Sequence, residues 1–202
     1  MIKNIVFDMG GVILDFNVKK TVEEYFPEEY REIVKKNVFD SELWRSLDRG
    51  TLEFSEALPL MLKTLPKETH ALVKDMVTDF YPYMPPFEDM YEFIASLKKA
   101  GYKTYLLSNA SVRVFDRFFN IPALSLLDGL FISALYGYIK PEKEIYEAFF
   151  KKFSLVPEEC FFIDDNAVNI EAAKKLGMDG YVYKAPDISG LKTRLSSLGV
   201  KI

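Results

Sequence analysis

A chain of 202 residues with 49% hydrophobic content is long enough to bury one sizeable core and a smaller attached unit. Its formal net charge of −4, with no long run of Lys or Arg, argues against nucleic acid or an anionic membrane as the main partner, since both need a basic footprint. The single cysteine, Cys160, excludes an intrachain disulfide and a cysteine-built metal site; beside Phe161 and Phe162 it reads as a buried structural thiol.

The apolar run after Lys3 breaks at Asp8, too soon for the hydrophobic stretch of a signal peptide. No segment approaches the length of a membrane span, and a cytoplasmic location is expected. Residues 2–7 form the first expected strand, ending in Asp8-Met9-Gly10-Gly11. A carboxylate at the carboxyl end of a buried strand stands where open α/β sheets bind ligands, although an Asp there is also an ordinary turn former.

Residues 16–86 contain no convincing strand, and helical patterns cover 19–25, 27–37 and 67–80. The only histidine, His70, lies at a charged helix start and reads as solvated surface. Pro82, Pro85 and Pro86 then make a stiff connector. From 87 onward helical spacings alternate with short apolar runs at 103–107, 130–133, 161–163 and 180–183, the pattern of a parallel α/β sheet. Helices are expected over 87–100, 142–153 and 168–176. The chain therefore divides into an α/β core, residues 1–15 and 87–202, with a Rossmann-like parallel sheet flanked by helices, and an all-helical cap, residues 16–86, inserted after the first strand. The two crossings between them would permit a hinged lid.

Three further sites fall at expected strand ends. Ser108-Asn109 offers a hydroxyl and an amide able to hold phosphoryl oxygens, or an ordinary helix cap. Lys140-Pro141 opens a helix, where a lysine is disfavoured by the dipole unless it faces carboxylates. Asp164-Asp165-Asn166 closes the strand at 161–163. Two adjacent carboxylates repel and call for a cation, and hard oxygen donors suit Mg²⁺; capping of the next helix explains one Asp but not both.

Asp8, Ser108-Asn109, Lys140-Pro141 and Asp164-Asp165, in this order on an α/β pattern, resemble the haloacid dehalogenase-like hydrolase superfamily over nearly the whole chain. The first motif is most similar to sugar-phosphate phosphatase-like members. The resemblance implies that Asp8 is a nucleophile forming an aspartyl-phosphate, with Ser108, Asn109 and Lys140 binding the phosphoryl group. It also implies Mg²⁺ held by Asp8, the Gly10 carbonyl and Asp165, with Asp164 acting through water or from behind the direct ligands. The acidic pair favours phosphoryl transfer over metal-free carbon–halogen cleavage.

Gly10 departs from the pattern, because typical phosphatases of this superfamily carry there a second Asp that protonates the leaving oxygen. Such a loss forfeits about 10²–10⁴ in rate. Asp15 is the nearest carboxylate and is the expected substitute, against a role as a cap of the following helix. In the insert, residues 43–50 resemble the region where related caps reach the active site. Arg49 would read a second phosphate or sugar hydroxyls and Trp44 would stack on a ring, against a surface ion pair and cap core respectively. The expectation is a Mg²⁺-dependent phosphatase of a small phosphorylated metabolite, with a sugar phosphate as the leading substrate. A phosphomutase and a non-catalytic binding or regulatory protein are the alternatives, the latter supported only by Gly10.

Overall fold

The computed structural model describes the backbone of all 202 residues and every side chain except those of Tyr81 and Arg117. Strands β1 (Asn4–Phe7), β2 (Lys103–Ser108), β3 (Gly129–Ile132), β4 (Cys160–Asp164) and β5 (Asp179–Val182) form one parallel sheet in the order β3-β2-β1-β4-β5. The central strand is buried along its whole length, and after Asn4 it is apolar, because it is covered on both faces. Its Ile5 and Phe7 pack in one core cluster and Val6 in the other.

After β1 the chain enters α1 (Val18–Tyr25), α2 (Glu28–Val34), α3 (Glu42–Arg49), α4 (Phe54–Lys63) and α5 (His70–Thr78). These helices share an apolar cluster of their own that includes Val22, Val34, Met61 and Met76. The helical pattern at 27–37 splits, because α2 runs on into a π-helical turn, Lys35–Phe39. Helix α4 forms despite Pro59, supported by a capping box between Glu53 and Glu56 and by burial of Ala57 and Met61. His70 opens α5 half-buried, its Nε2 3.1 Å from the Leu65 carbonyl, rather than solvated. The outgoing and returning chains pair: Asp15 N–H donates to the Pro85 carbonyl (2.8 Å) and Phe87 N–H to the Ile13 carbonyl (2.9 Å).

The sheet is then flanked by α6 (Glu88–Lys99), the short α7 (Pro122–Ser125) and α10 (Ile188–Ser197) on the Phe7 face, and by α8 (Lys143–Phe153) and α9 (Ala167–Lys175) on the Val6 face. Helix α8 starts after Pro141, at Lys143, with Glu142 as its N-cap. The connections leave β1 toward β2 and β3 on one side and reach β4 and β5 on the other. The reversal falls between β1 and β4, where open α/β sheets form their ligand crevice. Phe7 is in register with Leu106 of β2 and Ile163 of β4, so Asp8 and Asp164 emerge side by side at that crevice.

Candidate active site

Asp8 follows the last residue of β1 and is buried. Its Oδ1 accepts from Met9 N–H (2.7 Å) and is paired with Lys140 Nζ (2.8 Å). The same ammonium lies 2.8 Å from Asp164 Oδ2. Lys140 reaches this position because its backbone is clamped by one amide: Asn109 Nδ2 donates to the Lys140 carbonyl (3.0 Å), and Lys140 N–H donates to Asn109 Oδ1 (2.7 Å). Asn109 thus holds the loop that carries the lysine. Asp164 is fixed from the other side by Asn169 Nδ2 (3.1 and 3.0 Å) and Asn166 N–H (2.8 Å). The buried Ser108 ends β2 and lines the same cavity.

Burial pushes the Asp8 carboxyl up to about 7; Lys140 opposes the rise and Asp164 adds to it. For Lys140, burial pulls the pKa down, but Asp164 and Asp8 more than offset it and the net direction is up. The lysine is therefore held as an ammonium. Burial, then Asp164, raises Asp165 as well.

Oxygen atoms of Asp8, Asp164 and Asp165 lie within 4.8 Å of one another, and the Lys140 ammonium by itself cannot balance three carboxylates. The donor set is all hard oxygen, which suits Mg²⁺. The loop makes room for it. Gly11 has φ +70°, and a Cβ there would meet Asp165 Oδ2 at 2.6 Å, so only glycine lets that carboxylate lie against the turn after Asp8. At Gly10 a Cβ would stand 3.2 Å from Phe16 Cβ, so the side chain expected there is replaced by a packed phenyl ring.

The cavity of about 350 Å³ opens between sheet and cap and is lined by Asp8, Gly10, Ser108, Asn109, Lys140, Asp165 and, from the cap, Trp44 and Asp48. Trp44 packs on Phe16 and Phe39 (ring centroids 6.2 and 5.1 Å), serving as cap core and cavity wall at once.

Two expected site residues are not brought to the cavity. Asp15 is bound to Lys20 Nζ at 2.7 Å outside it, because the chain turns away at Leu14 to enter the cap. Arg49 is not in the wall either; it forms a two-pronged ion pair with Glu142 (3.0 Å for one prong) and donates to the Gly137 carbonyl (3.1 Å). This contact fastens α3 to the core. The fastening is tight: Ser133 Oγ donates to the Asp48 carbonyl, and Gly50, at φ +74°, leaves no room for a Cβ beside the Ala134 carbonyl.

The residues missed in the sequence are Asn169, which holds Asp164, and, in the cap, Asp48. Burial, then the charge of Asp8, pushes its carboxyl up to about 7, against a lowering by Lys140. The available signal was helix phase: Asp48 lies four residues after Trp44 and shares its face, whereas Arg49 is rotated by about 100°.

The family model for haloacid dehalogenase-like hydrolases matches residues 2–177. The chain is 28% identical to a D-ribitol-5-phosphate phosphatase of Bacteroides thetaiotaomicron, over 90% of this chain and 91% of that protein. It is also 28% identical to a sesquiterpene phosphatase of Aspergillus oryzae, with 88% of each covered. The fold matches the crystal structure of a wild-type HAD family enzyme of B. thetaiotaomicron in complex with magnesium and inorganic phosphate, at TM-score 0.71 and 20% identity, covering 95% of this chain and 99% of that one.

Proposed function

The chain belongs to the haloacid dehalogenase-like hydrolases, and from that premise we propose that it is a Mg²⁺-dependent phosphatase of small phosphate monoesters, working through a phosphoryl group carried covalently by Asp8. The observation that carries this reading is the cluster at the β1–β4 crevice: one buried carboxylate, Asp8, pinned by a buried ammonium beside a second acidic pair. Phosphatases among its relatives, and a structural neighbour holding magnesium and phosphate, support it.

Both hydrogen bonds to Asp8 go to Oδ1, which leaves Oδ2 to attack phosphorus. As the Oδ2–P bond forms, the ester P–O bond breaks and its electron pair goes to the departing alkoxide. Lys140 offsets the repulsion between the anionic carboxylate and the anionic phosphoryl group, and Ser108 donates to a phosphoryl oxygen. Asp8, the Gly10 carbonyl and Asp165 would hold Mg²⁺, and Asp164 keeps Lys140 in place. The ion, when bound, supplies further charge neutralisation at the phosphoryl oxygens.

The alkoxide needs a proton. Asp164 is occupied by Lys140 and Asn169, Gly10 has no side chain, and Asp15 is outside the cavity. Asp48 faces the cavity with a carboxyl that keeps its proton to about pH 7. In this reading Asp48 protonates the leaving oxygen. As a carboxylate it then takes a proton from the water that attacks phosphorus, which frees phosphate and restores Asp8.

The test is phosphate release from a panel of monoesters by the full chain, with Mg²⁺ and with excess EDTA, against Asp8→Asn. Turnover that needs both the metal and Asp8 is expected. Metal-dependent ester binding without Asp8-dependent turnover identifies a binding protein instead.

A further inference from the structure

The cap side of the cavity is walled mostly by carbon. Phe16, Trp44, Leu47, Phe54, Val77 and Val114 face the space that the organic part of a monoester would fill. The two arginines interspersed with them, Arg113 and Arg45, already have partners. The Arg113 guanidinium lies 3.8 Å from the Phe54 ring centroid, donates to the Thr78 carbonyl (2.9 Å) and pairs with Asp116 (3.7 Å). Arg45 is bonded to Glu42 (3.2 Å). Arg49, the expected reader of sugar hydroxyls, is turned outward onto Glu142. A sugar or polyol chain in this space would bury hydroxyls against rings and methyl groups, and each unpartnered hydroxyl loses its hydration without a replacement.

We infer that the organic part of the substrate is hydrophobic: the site takes phosphate monoesters of apolar alcohols and discriminates against sugar and polyol phosphates. This deepens the phosphatase reading and rests on it for turnover, but the fit of the wall to an apolar group can be measured apart from chemistry. Trp44 is the only tryptophan and lines the wall, so its fluorescence reports occupancy directly.

Two series on the full chain with Mg²⁺ test the inference. In the first, kcat/KM is measured for n-alkyl phosphates from ethyl to hexyl and for glucose 6-phosphate, all esters of primary alcohols. The expected rise is roughly fourfold per added methylene, with glucose 6-phosphate at least ~10-fold below hexyl phosphate. In the second, n-alkylphosphonates of the same lengths are titrated against Trp44 fluorescence, and affinity is expected to climb in parallel. Val77→Thr, which adds a hydroxyl to the wall at nearly constant volume, is expected to flatten both slopes; the wild-type series stands by itself if that variant does not fold. Glucose 6-phosphate turned over as fast as hexyl phosphate, on a flat alkyl series, overturns the inference and leaves the phosphatase intact. Affinity climbing with chain length in the absence of any turnover removes the phosphatase reading and leaves the apolar ligand class standing. Flat binding with no turnover overturns both.

Discussion

At the sheet end of the cavity, Asp8, Lys140 and Asp164 are joined by 2.8 Å contacts and braced by Asn109 and Asn169. At the cap end the lining is mostly rings and aliphatic side chains, with Asp48 placed among them. The first end resists substitution, because its charges are buried and each depends on a partner. The lining of the second end is set mostly by apolar packing, so residues there other than Asp48 can change with less effect on the chemistry. In the proposed reading, reaction type therefore belongs to the strand ends and substrate choice to the cap, with Asp48 as the cap residue that takes part in the chemistry.

The largest expected effect is at the sheet end. Asp8→Asn should lower kcat by at least ~10⁴ while leaving the fold intact, as read by phosphate release and circular dichroism, since it removes the atom that bonds to phosphorus. Lys140→Ala should remove activity and also destabilise the chain by about 3–5 kcal/mol in urea unfolding, because it strands two buried carboxylates. Retained stability in that variant would show that the sheet end is less tightly coupled than its distances imply.

Asp48→Asn brings the comparison to the cap. A loss of about 10²–10³ in kcat is expected on alkyl esters and a much smaller one on an aryl ester, whose leaving group needs no proton. The wild-type rate should peak near pH 7, because Asp8 must lose its proton to attack and Asp48 must keep its own to protonate the leaving oxygen; the variant should keep the acid limb and lack the alkaline one. Equal losses on both esters would make Asp48 a positioning residue instead.

Stability gives an independent reading of the same group. Its carboxyl moves from an ordinary 3.8 to about 7 in the folded chain. Between these values the folded state binds more protons than the unfolded one, so stability declines as pH rises. Thermal melts in EDTA should therefore show Asp48→Asn gaining ~1–3 kcal/mol over the wild type above about pH 7 and nothing near pH 4.

The smallest effect is expected at the clamp between the two ends. Arg49→Lys keeps the charge but loses the fork that grips Glu142. A rise of about 2–5-fold in KM, with kcat nearly unchanged, would mark it as a fastening of the cap rather than part of the reaction.

Much of this is legible in the sequence. A parallel sheet lines up the carboxyl ends of its strands, so Asp8, Ser108 and the Asp164-Asp165 pair could be read as neighbours from strand endings alone, and Lys140 from its demand for carboxylates. The helical stretch between the first two strands was legible by its lack of period-two runs. Helix α4 was hidden by Pro59, whose cost is offset by a cap and by burial, and His70 was misread because the Leu65 carbonyl beside it is a local turn contact. Asp15 was placed near Asp8 by sequence distance, but the chain leaves the sheet at Leu14 and carries it to Lys20.

By itself the sequence put Asp8, Ser108 and the acidic pair Asp164-Asp165 at strand ends, and the order of these motifs with Lys140 carried the family resemblance from which their proposed roles come. Only the tertiary structure decided which of two adjacent residues, Asp48 or Arg49, enters the cavity. One residue turns a helix by about 100°, and the direction each side chain takes depends on how α3 is fastened against Ser133, Ala134 and Glu142. The same docking brings the aromatic residues of the cap over Asp8, a juxtaposition of distant segments that no local pattern records.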